Sequence, residues 1–181
     1  MIIANSFASK FISTTAIALC LIASMSSAEA GRARGAQQNA AGGTTAAGGA
    51  VHQGPNGGGS ARGAAVVTDG QGNGAAASGG AVQGPNGGRA GRASGTTVNA
   101  DGTVNHRGGF AAQGQNGSAQ SQGGFTRNAD GTVSGGRNST ATNANTGNTA
   151  NGSTTYDSTN GVKHTTTCTD ANGATIACPS R

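Results

Sequence analysis

The motif Gln-Gly-Pro-Asn-Gly stands at residues 53–57 and again at 83–87, and Gln-Gly-Gln-Asn-Gly stands at 113–117, in one thirty-residue register throughout. A fixed period of this size means copies of one supersecondary unit, so the fold to expect is an array rather than a single packed body.

The content of the unit is set by its turns. Asn56-Gly57, Asp69-Gly70, Asn86-Gly87, Asp101-Gly102, Asn116-Gly117, Asp130-Gly131, Thr146-Gly147, Asn160-Gly161 and Asn172-Gly173 follow one another at nearly even spacing, two to each repeat. Asn-Gly and Asp-Gly are strong turn dipeptides because both residue types tolerate positive φ. Each unit therefore holds two turns and two strands of roughly ten residues. Asn99-Ala100-Asp101-Gly102-Thr103-Val104 recurs as residues 128–133, and Ala-Asp-Gly suits a three-residue hairpin loop with its glycine left-handed. That register sets Val98 opposite Val104, and an analogous loop at residues 158–162 sets Tyr156 opposite His164. Helix is disfavoured after residue 30, because an interior glycine costs about 1 kcal/mol relative to alanine and no apolar stripe of period 3.6 exists.

After residue 30 there is no Leu and no Met, and the large apolar residues are eight valines, Ile176, Phe110, Phe125 and Tyr156. An ordinary domain draws roughly 45–50% of its residues from apolar types. All 35 glycines also lie here, each giving up more backbone entropy on folding than any other residue. A conventional interior cannot be built from this inventory. The chain is therefore either disordered or held mainly by backbone hydrogen bonds. If folded, it is mostly β, a glycine-rich repeat forming a β-meander or a β-solenoid.

Four segments follow. Residues 1–30 read as a signal peptide: Lys10 supplies the positive region, residues 11–23 an apolar run too short to span a bilayer, and Ala28-Glu29-Ala30 a cleavage site. Cys20 follows Leu19, where a lipobox wants a small residue. Residues 31–49 are Gly/Ala-rich without a visible period and read as a flexible leader. Residues 50–140 carry the repeats, and residues 141–181 a Thr/Asn-rich degenerate repeat with a cysteine pair. The expected location is exported: periplasmic, cell-surface or extracellular, with no membrane span in the mature chain.

In such a compartment Cys168 and Cys178 imply a disulfide, and closing an 11-residue loop is worth about 2.8 kcal/mol in the chain-entropy model. A loop of Ala171, Asn172 and Gly173 sets Cys168 across from Ile176, however, leaving Cys178 diagonal. The hairpin must then shift register or bulge.

No catalytic constellation emerges. Asn-Ala-Asp-Gly matches the middle of an EF-hand loop, but Thr97, Thr126, Gly108 and Arg137 occupy the terminal ligand positions. His52, His106 and His164 lack carboxylate or i, i+4 partners and read as solvated positions. There is no Glu after residue 30, and Asp69, Asp101, Asp130, Asp157 and Asp170 lie in or beside turns, which disfavours a paired-carboxylate site. Nucleophile elbow and phosphate-loop motifs are absent. The expectation is no enzyme, no cofactor and no metal.

Ten basic residues against five Asp after residue 30 leave a light positive charge, too little to keep copies apart. Arg89, Arg92 and Arg107 are expected to share a face. With Arg127 and Arg137 they would attract anionic polymers such as DNA, acidic polysaccharide or lipopolysaccharide.

Secretion signal, Gly/Asn/Gln/Ser/Thr-rich composition and repeats bounded by Asn-Gly over residues 50–167 resemble the exported glycine-rich repeat proteins of bacteria, including curlin-type amyloid subunits. That resemblance implies a structural or surface-interaction role with self-assembly into matrix or fibre. Independently, polar strands with free edges gain hydrogen bonds by pairing with another copy. The competing expectation is a disordered cationic binder of envelope or matrix polymers.

Overall fold

The computed structural model describes residues 30–54 and 56–179, and the signal-peptide reading lies, but for Ala30, outside them. Eleven strands follow in order: β1 (Ala30–Gln38), β2 (Thr44–Gln53), β3 (Gly59–Thr68), β4 (Gly74–Gln83), β5 (Arg89–Val98), β6 (Val104–Gly114), β7 (Gly117–Arg127), β8 (Val133–Asn143), β9 (Thr149–Asp157), β10 (Gly161–Thr169) and β11 (Thr175–Ile176). Each pairs with its neighbour in sequence, giving one open antiparallel sheet. Of the competing expectations, the described residues take backbone pairing over disorder and meander over solenoid.

Turn chemistry explains the order. After β5, the Asn99 N–H is given to the Thr103 carbonyl at 2.9 Å and the Gly102 N–H to the Asn99 carbonyl at 2.9 Å. Gly102 sits at φ 87°, so the loop is Ala-Asp-Gly with a left-handed glycine, and Val98 faces Val104 as expected. Asn39 to Gly43, Gly84 to Gly88, Asn128 to Thr132 and Asp170 to Ala174 close in the same way. All nine glycines of the predicted turn dipeptides, Gly57, Gly87 and Gly131 among them, have positive φ, as do Gly42 and Gly72. Asn116 belongs to a tighter turn: Gly114 pairs directly with Gly117, which opens β7.

The first five turns centre on residues 41, 56, 71, 86 and 101. The structural step is thus half the sequence period, one strand and one turn. The full period is a hairpin, after which the chain returns to the same end of the sheet.

Two expectations are corrected. Residues 31–49 are not a loose leader, since they form most of β1 and β2, paired from Ala30 with His52 to Gln38 with Thr44. Ladder hydrogen bonds belong to the backbone, which Gly/Ala composition leaves intact. The side chain of Asn39 pins this hairpin to the next, donating to the Thr68 carbonyl at 2.7 Å and accepting from the Gly43 N–H at 3.1 Å. Tyr156 faces Val162 rather than His164. Asp157 accepts the N–H groups of Thr159 and Asn160 at 2.8 and 3.0 Å and closes the turn there.

Cys168 does lie across from Ile176, yet it is bonded to Cys178 with the Cα atoms 5.2 Å apart. Neither a register shift nor a bulge is needed, because β11 ends at Ile176 and the chain leaves the ladder to bring Cys178 back.

Among the described residues only Gly43, Asp69, Ser121 and Cys168 are buried. The strands of the middle of the sheet nonetheless press closely. A β-carbon on Gly124 would collide with the His106 carbonyl and one on Gly135 with the Gly124 carbonyl, while Gly114 has open space. Gly124→Ala and Gly135→Ala are therefore expected to destabilise by more than about 1 kcal/mol, and Gly114→Ala to be neutral or slightly stabilising. The check is the denaturant midpoint of each variant by circular dichroism. Equal midpoints for Gly124→Ala and Gly114→Ala would contradict the close approach.

Candidate functional site

Cross-strand partners in an antiparallel ladder share a face, and successive residues alternate. The register therefore sorts every strand side chain onto one of two surfaces. Phe110, Phe125 and Tyr156 fall on one surface with His52, His106 and His164, and Arg32, Arg34, Arg62, Arg92, Arg127 and Arg137 join them. No strand residue on this aromatic face is acidic. The opposite, hydroxyl face carries Arg89, Arg107, Lys163 and Asp157 among rows of Thr, Ser, Asn and Gln.

Arg89, Arg92 and Arg107 do not share a surface. Arg89 and Arg92 are an odd number of residues apart in one strand, which turns them to opposite sides. Arg107 pairs with Gly95 and lies on Arg89's side, where Arg89 donates to Gln113 Oε1 at 3.0 Å. Of the five arginines expected to bind anions, Arg92, Arg127 and Arg137 lie on the aromatic face.

The aromatic face has an ordered centre. His106, Phe125, Gly135, Tyr156 and Val162 form one transverse row across β6 to β10. The His106 and Phe125 rings stack with centroids 5.4 Å apart and planes at 26°, and Thr96 Oγ1 lies 2.8 Å from His106 Nδ1 on the other side. Phe110, Phe125 and Tyr156 are 45%, 43% and 41% exposed, so each ring presents a large part of its surface to solvent. The three histidines lie on β2, β6 and β10, each offset laterally from the next by four strand spacings, about 19 Å, and His52 lies a further six residues along its strand from the row of His106. They do not converge.

On the hydroxyl face, side chains bond along the rows. Thr140 donates to Asn151 at 2.9 Å, Thr126 to Asn105 at 2.8 Å, and the hydroxyls of Thr142 and Thr149 lie 2.9 Å apart. A shallow groove of about 970 Å³ crosses this face over Ala61, Ala81 and Ala111, rimmed by Gln83, Arg89 and Gln113. Its floor is methyl groups and its rim is amide with the Arg89 guanidinium, and no carboxylate lines it.

The aspartates act on the turns. Asp101 and Asp130 accept the backbone N–H two residues on, from Thr103 at 2.8 Å and Thr132 at 2.9 Å, and Asp69 accepts the Asn73 side chain at 2.6 Å. The EF-hand-like segments are thus hairpin loops with their carboxylates already engaged. No group of three or more His, Cys, Asp or Glu able to hold a metal occurs among the described residues, and no helix there is long and apolar enough to cross a membrane.

Facial parity is the functional signal that composition conceals. It follows from loop length, and a one-residue error in any loop exchanges the surfaces. No protein family, curated protein or solved structure matches this chain.

Hydrogen bonds hold four carboxyls below their ordinary value of 3.8. The Asn73 side chain does so for Asp69, the Thr103 N–H for Asp101, the Thr132 hydroxyl for Asp130 and the Thr159 N–H for Asp157. A lowered folded-state value means the contribution is complete above the unfolded value and is lost as pH falls through the folded one. The denaturant midpoint should be level from pH 7 to about 5 and decline below about 4. The decline should be shallower in Asp69→Asn/Asp130→Asn, and an unchanged profile in that double variant would contradict the assignment.

Proposed function

We propose that this is a non-enzymatic, exported structural protein that extends its sheet by adding further copies at its edges. The observation that carries the reading is an open meander in which, among the described residues, the outer strands have unpaired sides and neither face is covered by a second layer. An open sheet without a covering layer buries little apolar surface, so further pairing is its main route to more stability. Among the described residues β1 has no partner on its outer side, and β10 is covered by β11 only at Cys168 and Thr169. The disulfide fits an oxidising compartment, and the resemblance to exported repeat proteins points the same way. The methyl-floored groove and the turn-engaged carboxylates supply no acid–base pair, which supports the non-enzymatic reading without depending on it.

Which groups of β1 point outward follows from the first turn. The Asn39 N–H is given inward to Gly43, so by the ladder's alternation Gln37 and Gly35 also donate to β2, while Ala36 and Arg34 donate outward. Proline at Ala36 removes an outward donor and leaves the β1–β2 ladder intact. The wild-type mature chain is expected to form species larger than a monomer with concentration in sedimentation velocity, with a β-type circular dichroism spectrum. Ala36→Pro should keep that spectrum and shift the distribution to smaller species. A wild-type chain that stays monomeric to its solubility limit would end the proposal.

A further inference from the structure

We propose that the aromatic face binds single-stranded nucleic acid, with one base seated above Gly135 between the rings of Phe125 and Tyr156. These residues lie in a single transverse row on β7, β8 and β9. The rings are thus two strand spacings apart, about 9.6 Å, and the position between them carries no side chain. At that spacing a base in the slot above the glycine stacks on one ring with the other beside it, and base-on-aromatic stacking is indifferent to base identity. His106, stacked behind Phe125, continues the column.

Charge frames the slot. Arg127 lies two residues beyond Phe125 toward one end of the sheet, and Arg137 two residues beyond Gly135 toward the other, pairing with Gly123 and Thr154. A strand laid along the slot would bring a phosphate to each guanidinium, one on either side of the stacked base. No acidic residue shares this face, so nothing on the strands competes for the arginines.

The same features select among polyanions. A duplex presents phosphates but keeps its bases paired, leaving both rings in water. An acidic polysaccharide or polypeptide likewise satisfies the arginines alone. Only a single strand uses rings and cations together.

The test uses the oxidised mature chain and an oligothymidylate of about 20 nucleotides as probe. Tyr156 is the one tyrosine and there is no tryptophan, so intrinsic fluorescence reports from the slot itself, and it should be quenched on saturation at low salt. By anisotropy, Phe125→Thr or Tyr156→Thr should weaken binding about tenfold or more. Arg127→Gln/Arg137→Gln should make the slope of log affinity against log salt shallower by about 1.4, whereas Arg89→Gln/Arg107→Gln on the opposite face should leave affinity unchanged within twofold. The slot is complete within one chain, so Ala36→Pro should bind as wild type does, which separates this inference from edge assembly. Unquenched tyrosine at saturation, or absence of binding at low salt, would overturn it. So would duplex DNA or heparin binding as tightly as the single strand with the ring variants silent.

Discussion

The backbone ladder has to carry this fold, because little else is available. An ordinary sheet covers at least one face with a second layer and draws its stability from the apolar contact. Here the described residues bury three side chains, of which one belongs to a disulfide and two are polar. Short antiparallel connections make the ladder attainable. Each strand meets its partner across a few residues, so loop-closure entropy is small. Glycine, which weakens strands elsewhere, is used twice over: positive φ closes the turns, and the missing side chain lets Gly124 and Gly135 approach their neighbours' carbonyls.

Polar side chains take over part of the role of a core. At one end of the sheet Asn39 reaches Thr68, and Asn73 accepts the Ala100 N–H at 2.9 Å. At the other, the Ala144 N–H reaches the Asn116 carbonyl at 3.0 Å. Successive turns are thereby tied edge to edge, while hydroxyl ladders such as Ser121 with Ser139 at 2.7 Å tie the strands between them. Each such bond is worth little in water, but they repeat along the whole width of the sheet, and no buried side-chain polar atom among the described residues lacks a partner.

Much of the architecture is legible in the residues, because turn chemistry is local. Gly102 and Gly131 announce their loops through the residues beside them, and Val98 meets Val104 for that reason. Asn39-Ala40-Ala41-Gly42 carries the same spacing as Asn99-Ala100-Asp101-Gly102, yet without an adjacent Asx-Gly pair it reads as leader. The surviving signal is an Asn three positions before a Gly, half a period upstream of the next turn. The faces are not legible, because facial parity accumulates through every loop length between two residues. Arg89 and Arg92 look clustered along the chain and are divided by the sheet. Phe125 and Tyr156 look remote, and one glycine separates them.

Arg32, Arg62 and Arg92 recur at the hairpin period and stand in one transverse row on alternate strands. Duplicating one repeat length within residues 31–98 would insert two strands, restore the same parity downstream and extend that row by one guanidinium. The width of the molecule is thus a heritable variable that unequal recombination can adjust in whole hairpins, and the charge on its aromatic side would scale with it.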